Sequence, residues 1–269
     1  MNQKKEKITS LQNMLIKQAQ SLREARDRRE QKMTIIDGAR EIKRALEAGI
    51  IIDKVFYVHG QQEALRKQLT AKNIETIEVS DHVMEKLAYG ERHEGIIALA
   101  KTPALTLKDL KLSAQPLVVV LESLEKPGNL GAILRTCDGV GVEAVFVCDP
   151  KTDIYNPNVI RASTGVVFKV PVICAAPEEI FSFLKSRKIK ICATTPAAKK
   201  LYTQASFKGA WALILGSEDQ GLSNFWILAA DMTVMIPMKG LADSLNVSIS
   251  AAIILYEAHR QRQGSAGSP

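Results

Sequence analysis

Three short stretches of the chain gather polar residues and glycines just beyond apolar, β-branched runs, the place where open α/β sheets hold their ligands. The first follows LVVVL at 117–121 and contains Pro127-Gly128-Asn129 and then Arg135. Asn129 is of the type that caps a helix, and Arg135, about two turns further on, carries a fork that matches phosphate oxygens. The second follows ALILG at 212–216 and reads Gly216-Ser217-Glu218-Asp219-Gln220-Gly221. Two glycines bracketing two carboxylates make a loop whose backbone wraps a ligand while Glu218 presents charge to it. The third runs from Ile236 to Ser248, where Ile236, Met238 and Leu245 wall a flat ligand and Asn246 supplies an oriented hydrogen bond. Each stretch also has a plain structural reading: a cap and a surface ion-pair partner, an acidic helix start, or a loop before a small-residue helix.

Other chemistries find little support. Gly139-Val-Gly141-Val-Glu-Ala144 matches the letters of a dinucleotide fingerprint, but it follows a helix and precedes a strand, the reverse of the required context. Cys137, Cys148, Cys174 and Cys192 have no CxxC spacing, and His59, His82, His93 and His259 are widely separated, so neither a disulfide framework nor a metal site is expected. Asn246-Val-Ser248 fits a glycosylation sequon, yet the charged start MNQKKEKITS has no apolar run behind it to act as a secretory signal. No window reaches the roughly 18 apolar residues of a membrane span. With 46% hydrophobic and 24% charged residues, the composition is that of a cytoplasmic globular protein without membrane contact.

The elements that must position these loops fall into two groups. Ile8, Leu11, Leu15 and Leu22 recur at helical spacing, so residues 8–30 read as one amphipathic helix with a basic face of Arg23, Arg26, Arg28, Arg29 and Lys32. The net charge of +7 is weighted toward this first part, which suits a polyanionic partner, although Glu24, Asp27 and Glu30 alternate with the bases as on an ordinary solvated face. Helix and strand patterns then alternate to about residue 101, and a proline-containing linker leads to Pro116. Beyond it, LVVVL, AVFV, VFKVPVI (167–173), IKICAT, ALILG and TVMIPM (233–238) are continuous apolar strands separated by helices. That pattern means a mostly parallel sheet covered on both faces. A last helix runs from Ser248 to about Arg262.

Taken in order, NLGAILR, LILGSEDQGL and IPMKGLADSLNVSISAAI resemble the three motifs of the SpoU/TrmH family of RNA ribose 2′-O-methyltransferases of the SPOUT superfamily. ITSLQN near the start and GERHEGIIALA resemble the ribosomal-protein-like domain that precedes catalysis in rRNA-modifying members. The resemblance implies an α/β fold in two parts: residues 1–105 as an RNA substrate-binding domain and residues 113–264 as a SPOUT domain with a deep trefoil knot. It implies S-adenosylmethionine as methyl donor, no metal, a homodimer, and 23S-type rRNA as substrate. By motif position it places Thr194, Leu215, Gly216, Ile236, Met238, Leu245 and Asn246 at the cofactor. Asn129, Arg135, Glu218, Ser244 and Asn246 fall at the family's polar active-site positions. Ser217, Asp219 and Asp243 depart from the residues common there. A tRNA ribose methyltransferase and a non-catalytic RNA-binding or ribosome-assembly factor are the competing expectations.

Overall fold

The computed structural model describes residues 7–89, 93–217 and 219–263. It forms two compact units, one built from the chain up to Ala104 together with Tyr155–Lys169, the other from Leu105–Ile154 and the chain from Val170 onward. Fifteen residues from the second half of the sequence thus pack with the first unit.

In the first unit α1 (Met14–Ser21) and α2 (Ala25–Gln31) precede β1 (Met33–Asp37) and α3 (Ala39–Glu47). There follow β2 (Ile52–Tyr57), α4 (Glu63–Ala71), β3 (Glu75–Glu78), α5 (Asp81–Leu87) and β4 (Ile96–Lys101). The sheet order is β1-β4-β2-β3, with β4 antiparallel to both β1 and β2 and β3 parallel to β2. Ile16, Leu22, Phe56, Met84, Leu87 and Leu99 fill its core.

The single helix expected over 8–30 is instead a bridge and two helices. Ile8 pairs with Val79 beside the sheet, Asn13 caps α1 by accepting from the Leu15 N–H at 2.9 Å, and the chain turns at Leu22, which is fully buried. The apolar period is real, since Ile8, Leu11, Leu15 and Leu22 all meet one core, but Asn13 starts the helix later. The basic face also changes meaning. Arg28 is only 2% exposed and donates to the Leu22 and Arg23 carbonyls at 2.8 and 2.6 Å, while Arg23 donates to the carbonyls of Leu87 and Ala88. Two of the five bases thus satisfy backbone carbonyls at the helix break and at the end of α5, rather than standing open to a polyanion.

The inserted segment carries α7 (Pro157–Ala162). The buried Thr34 hydroxyl donates to the Tyr155 carbonyl at 2.8 Å, and Arg44 donates to the Thr164 carbonyl and hydroxyl at 2.6 and 2.5 Å. Gly165 (φ +81°) brings the backbone so close that a Cβ there would lie 3.1 Å from the Glu41 Cα. With Thr164 and Gly165 both left-handed, the strand expected from residue 167 becomes a 3₁₀ turn at Val166–Phe168.

The second unit continues with β5 (Leu117–Glu122), α6 (Pro127–Val140), β6 (Ala144–Cys148), β7 (Val172–Cys174), α8 (Pro177–Ser186) and β8 (Lys190–Thr194). It ends with β9 (Trp211–Leu215), α9 (Asn224–Ala229), β10 (Met232–Val234) and α10 (Val247–Gln263). All six strands are parallel in the order β10-β8-β9-β5-β6-β7, and every residue of the central β5 and β9 is buried. Gly141 (φ +75°) closes α6 in a left-handed C-cap, which is the use of the glycines that mimicked a dinucleotide loop. Strand β10 is shorter than TVMIPM suggests: it ends at Val234, and Met235 bridges to Leu201 before Pro237. Among the described residues no helix is long and apolar enough to cross a membrane.

Replacing Arg28 by Ala should lower unfolding stability by about 2 kcal/mol, because the Leu22 and Arg23 carbonyls lose a charged donor that is itself buried. Arg29→Ala, on the exposed side of α2, should stay within about 0.5 kcal/mol. Both tryptophans lie in the second unit, so urea unfolding followed by far-UV circular dichroism, rather than fluorescence, makes this comparison.

Candidate active site

A cleft of about 470 Å³ opens at the carboxyl ends of β8, β9 and β10. Thr194–Pro196 follow β8 into it, Leu215–Ser217 and Asp219–Leu222 follow β9, and Ile236, Met238 and Asp243–Leu245 come from the loop after β10. The start of α10 closes it with Val247, Ser250 and Ile254. Thr194, Leu215, Gly216, Ile236, Met238 and Leu245, singled out from the sequence, therefore share one cavity with Ser244. Asn246 is not in its wall although its neighbours on both sides are. Thr195, Gln220, Val247, Ser250 and Ile254 line it as well, beyond the individual residues singled out from the sequence. The i, i+3, i+7 spacing of the last three on a helix of small residues is the pattern that marks them.

Close backbone packing shapes the loop after β9. A Cβ on Gly216 would lie 2.1 Å from the Gly221 carbonyl oxygen and 2.5 Å from the Leu222 nitrogen. The loop folds back on its own start, with the Gly221 N–H donating to the Ser217 carbonyl at 3.1 Å and the Gln220 N–H to the Ser217 hydroxyl at 3.2 Å. Gly221 (φ +67°) makes that return possible. The Thr194 hydroxyl donates to the Ile214 carbonyl at 2.9 Å, which ties β8 to β9 at the cleft floor. Glu218, expected to face a ligand from this loop, lies outside the described residues.

A second polar constellation sits where α6 and α10 begin. Asn129 does not cap α6: the helix starts at Pro127, Lys126 holds the cap position, and Asn129 lies within the first turn. Its Oδ1 instead accepts from the Asn246 Nδ2 at 3.1 Å. The Asn246 Oδ1 accepts from the Ser248 N–H at 2.9 Å and the Ser248 hydroxyl at 2.6 Å, which fixes the amide so that its NH₂ faces Asn129. Asn246 is thus the residue that caps α10, its main-chain carbonyl accepting from Ile249 and Ser250. Ser248, read from the sequence only as part of an empty sequon, is the group that orients it.

Arg135 lies further along α6, exposed, its side chain without a hydrogen bond or ion pair to another described residue. It is six positions on from Asn129, roughly 9 Å along the axis and about 120° around it. The fold brings Asn129 and Asn246 together, therefore, and leaves Arg135 on a different face.

None of the four cysteines lines the cleft, and burial pushes the Cys148 and Cys192 thiols up to about 12 and raises Cys137 as well. Among the described residues no group of His, Cys, Asp and Glu could hold a metal ion.

Comparison with known proteins gives this arrangement a class. Residues 116–256 match the SpoU rRNA Methylase family, and residues 13–98 match the MRM3-like substrate binding domain. The 23S rRNA (uridine(2479)-2′-O)-methyltransferase of Streptomyces viridochromogenes is 32% identical over 85% of this chain and 83% of its own. A crystal structure of an RNA 2′-O ribose methyltransferase has 43% identity and a TM-score of 0.85, covering 96% of this chain and all of the other. The SpoU methyltransferase AviRb from S. viridochromogenes, in complex with the cofactor AdoMet, superposes with a TM-score of 0.88 at 28% identity over 96% of this chain and 100% of that one. The fold is thus that of a SPOUT-type α/β methyltransferase. The chain belongs to the SpoU rRNA methylase family, in the branch that carries an N-terminal substrate-binding domain.

Gly216→Ala should force the Gly221 backbone away and cost about 1–3 kcal/mol, as overpacking against a main chain does. Gly128→Ala, where a Cβ meets nothing within 4 Å, should be neutral. The two melting temperatures, measured side by side, check this.

Proposed function

We propose that the protein transfers a methyl group from S-adenosylmethionine to a ribose 2′-hydroxyl of structured RNA, with large-subunit rRNA of the 23S type as substrate. The observation that carries the reading is the cleft formed by the second and third family motifs, adjoined by the Asn129–Asn246 pair that joins the third motif to the first. The residues present fit such a cofactor. Leu215, Ile236, Met238, Leu245, Val247 and Ile254 offer an apolar slot of nucleoside size, the Gly216 and Gly221 backbone allows close approach, and Asp219 and Asp243 supply negative charge for a cationic ligand. Bound there, S-adenosylmethionine supplies a methyl group on a sulfonium sulfur.

The chain's own groups then have distinct tasks. The Asn246 amide, held by Ser248, and Asn129 beside it form an oriented polar pair at the edge of the slot, suited to position a ribose. Arg135 binds a phosphate of the RNA through its fork and stabilises charge that develops in transfer. Glu218 and Ser244 complete the polar set by motif position. Because Arg135 stands on another face of α6 from Asn129, a second copy is the natural source of the guanidinium for a given cleft. The exposed Ile249 and Tyr256 on α10, which packs against α6, provide the apolar surface for such a homodimer. The trefoil knot follows from family membership, with the loops after β9 and β10 as the knotted segments. The first unit, in this reading, recognises the shape of the RNA.

Methyl transfer from labelled cofactor to large-subunit rRNA, small-subunit rRNA and tRNA from cells lacking the gene tests the proposal. Label at one position of large-subunit rRNA supports it; label in tRNA overturns the substrate, and cofactor binding without label in any RNA overturns catalysis. Arg135→Ala should lower kcat/KM about 100-fold, the scale of losing one charge-stabilising donor, with cofactor affinity within about twofold of wild type. Steady-state kinetics and titration calorimetry read the two effects separately.

A further inference from the structure

We propose that Glu122, the last residue of β5, is a positioning residue that sets the cofactor loop after β9 through Ser223. The proposal deepens the reading of the cleft as the S-adenosylmethionine site and rests on it.

Glu122 is a carboxylate only 5% exposed at the end of a strand otherwise made of apolar residues. Both its oxygens are used by one residue: the Ser223 N–H donates to Oε2 at 2.7 Å and the Ser223 hydroxyl to Oε1 at 2.7 Å. Ser223 occupies the N-cap position of α9, where a serine hydroxyl ordinarily accepts from the helix backbone, yet it makes no such bond. The hydroxyl is turned away from its helix and given to Glu122. A buried side chain that diverts a cap in this way acts on the loop that arrives at the cap.

That loop is the cleft wall. At its start Gly216 is pinned beneath Gly221 by backbone contact; at its end Ser223 is held by Glu122. Ser217, Asp219, Gln220, Gly221 and Leu222, all lining the cleft, lie between these two anchors. Beyond Glu122 the chain turns at Ser123 (φ +52°), whose N–H donates to the Cys148 carbonyl at 3.0 Å, and then enters α6 and Asn129. One carboxylate therefore couples the loop that wraps the cofactor to the loop that leads to the polar pair. Without it the Ser223 donors lose their acceptor in the fold, and this end of the loop loses its side-chain anchor.

The test uses the full chain and titration calorimetry with S-adenosylmethionine. Glu122→Ala should weaken binding about tenfold, the scale of losing charged hydrogen bonds that hold a preformed site. Glu122→Gln should bind within about threefold of wild type, because an amide accepts from the Ser223 N–H and donates to a reversed hydroxyl. Ser223→Ala, at an exposed position where no cavity forms, should weaken binding about threefold and keeps the test available if Glu122→Ala does not fold. Adding Ser223→Ala to Glu122→Ala should cost nothing further. In steady state KM for the cofactor rises while KM for RNA does not. Variants that bind S-adenosylmethionine as wild type does, or a Glu122→Gln protein as impaired as Glu122→Ala, overturn the positioning role. Wild-type protein that does not bind S-adenosylmethionine would instead overturn the reading of the cleft on which it rests.

Discussion

A parallel sheet buried on both faces leaves its strand ends as the places where backbone polar groups are open, and the second unit is organised around that constraint. The central strands β5 and β9 are wholly buried, so every residue able to do chemistry must come from the segments that leave the sheet at its carboxyl edge. Those segments are short, glycine-containing and folded tightly on one another. The return of Gly221 onto Gly216 is the closest of these approaches, and it tolerates no side chain because the facing atoms are main chain.

Polar side chains cross between these segments and give the edge its definition. Thr194 joins β8 to β9, Glu122 joins the end of β5 to Ser223, and Asn246 joins the start of α10 to Asn129. Each bond links residues twenty or more positions apart in the chain, and two of them involve a group placed where it could have capped a helix. Ser223 gives up capping α9, and Asn129 does not cap α6. Hydrogen bonds of this kind add little net stability, but they choose one arrangement among loops that apolar packing alone would leave loosely specified.

In the first unit the same economy of polar groups appears in a different service. Arg23, Arg28 and Arg44 direct their guanidinium groups at backbone carbonyls, the last of them at Thr164 in the segment inserted from the second half of the chain. Because Tyr155–Lys169 belongs to this unit, removing the chain before residue 105 would strip α7 and its neighbours of the residues they pack on. The two units are thus not separable by a single cut, although the linker at residues 101–116 invites one.

The parallel sheet, the three loops at its edge and several residues of the cleft wall were legible along the chain. These are properties of local pattern: continuous β-branched runs mark buried strands, and Gly216, Ile236, Met238 and Leu245 lie in motifs whose order is readable along the chain. The sequence did not reveal the pairing of Asn129 with Asn246, the diversion of Ser223 to Glu122, or the inward turn of Arg28. A polar residue's type limits which bonds it can make, but its partner is chosen by what the fold sets beside it, a hundred residues or more away for Glu122 and for Asn129. The helix break at Leu22 and the short β10 have the same cause. Apolar periodicity says that a residue is buried, and only tertiary packing decides through which backbone conformation it gets there.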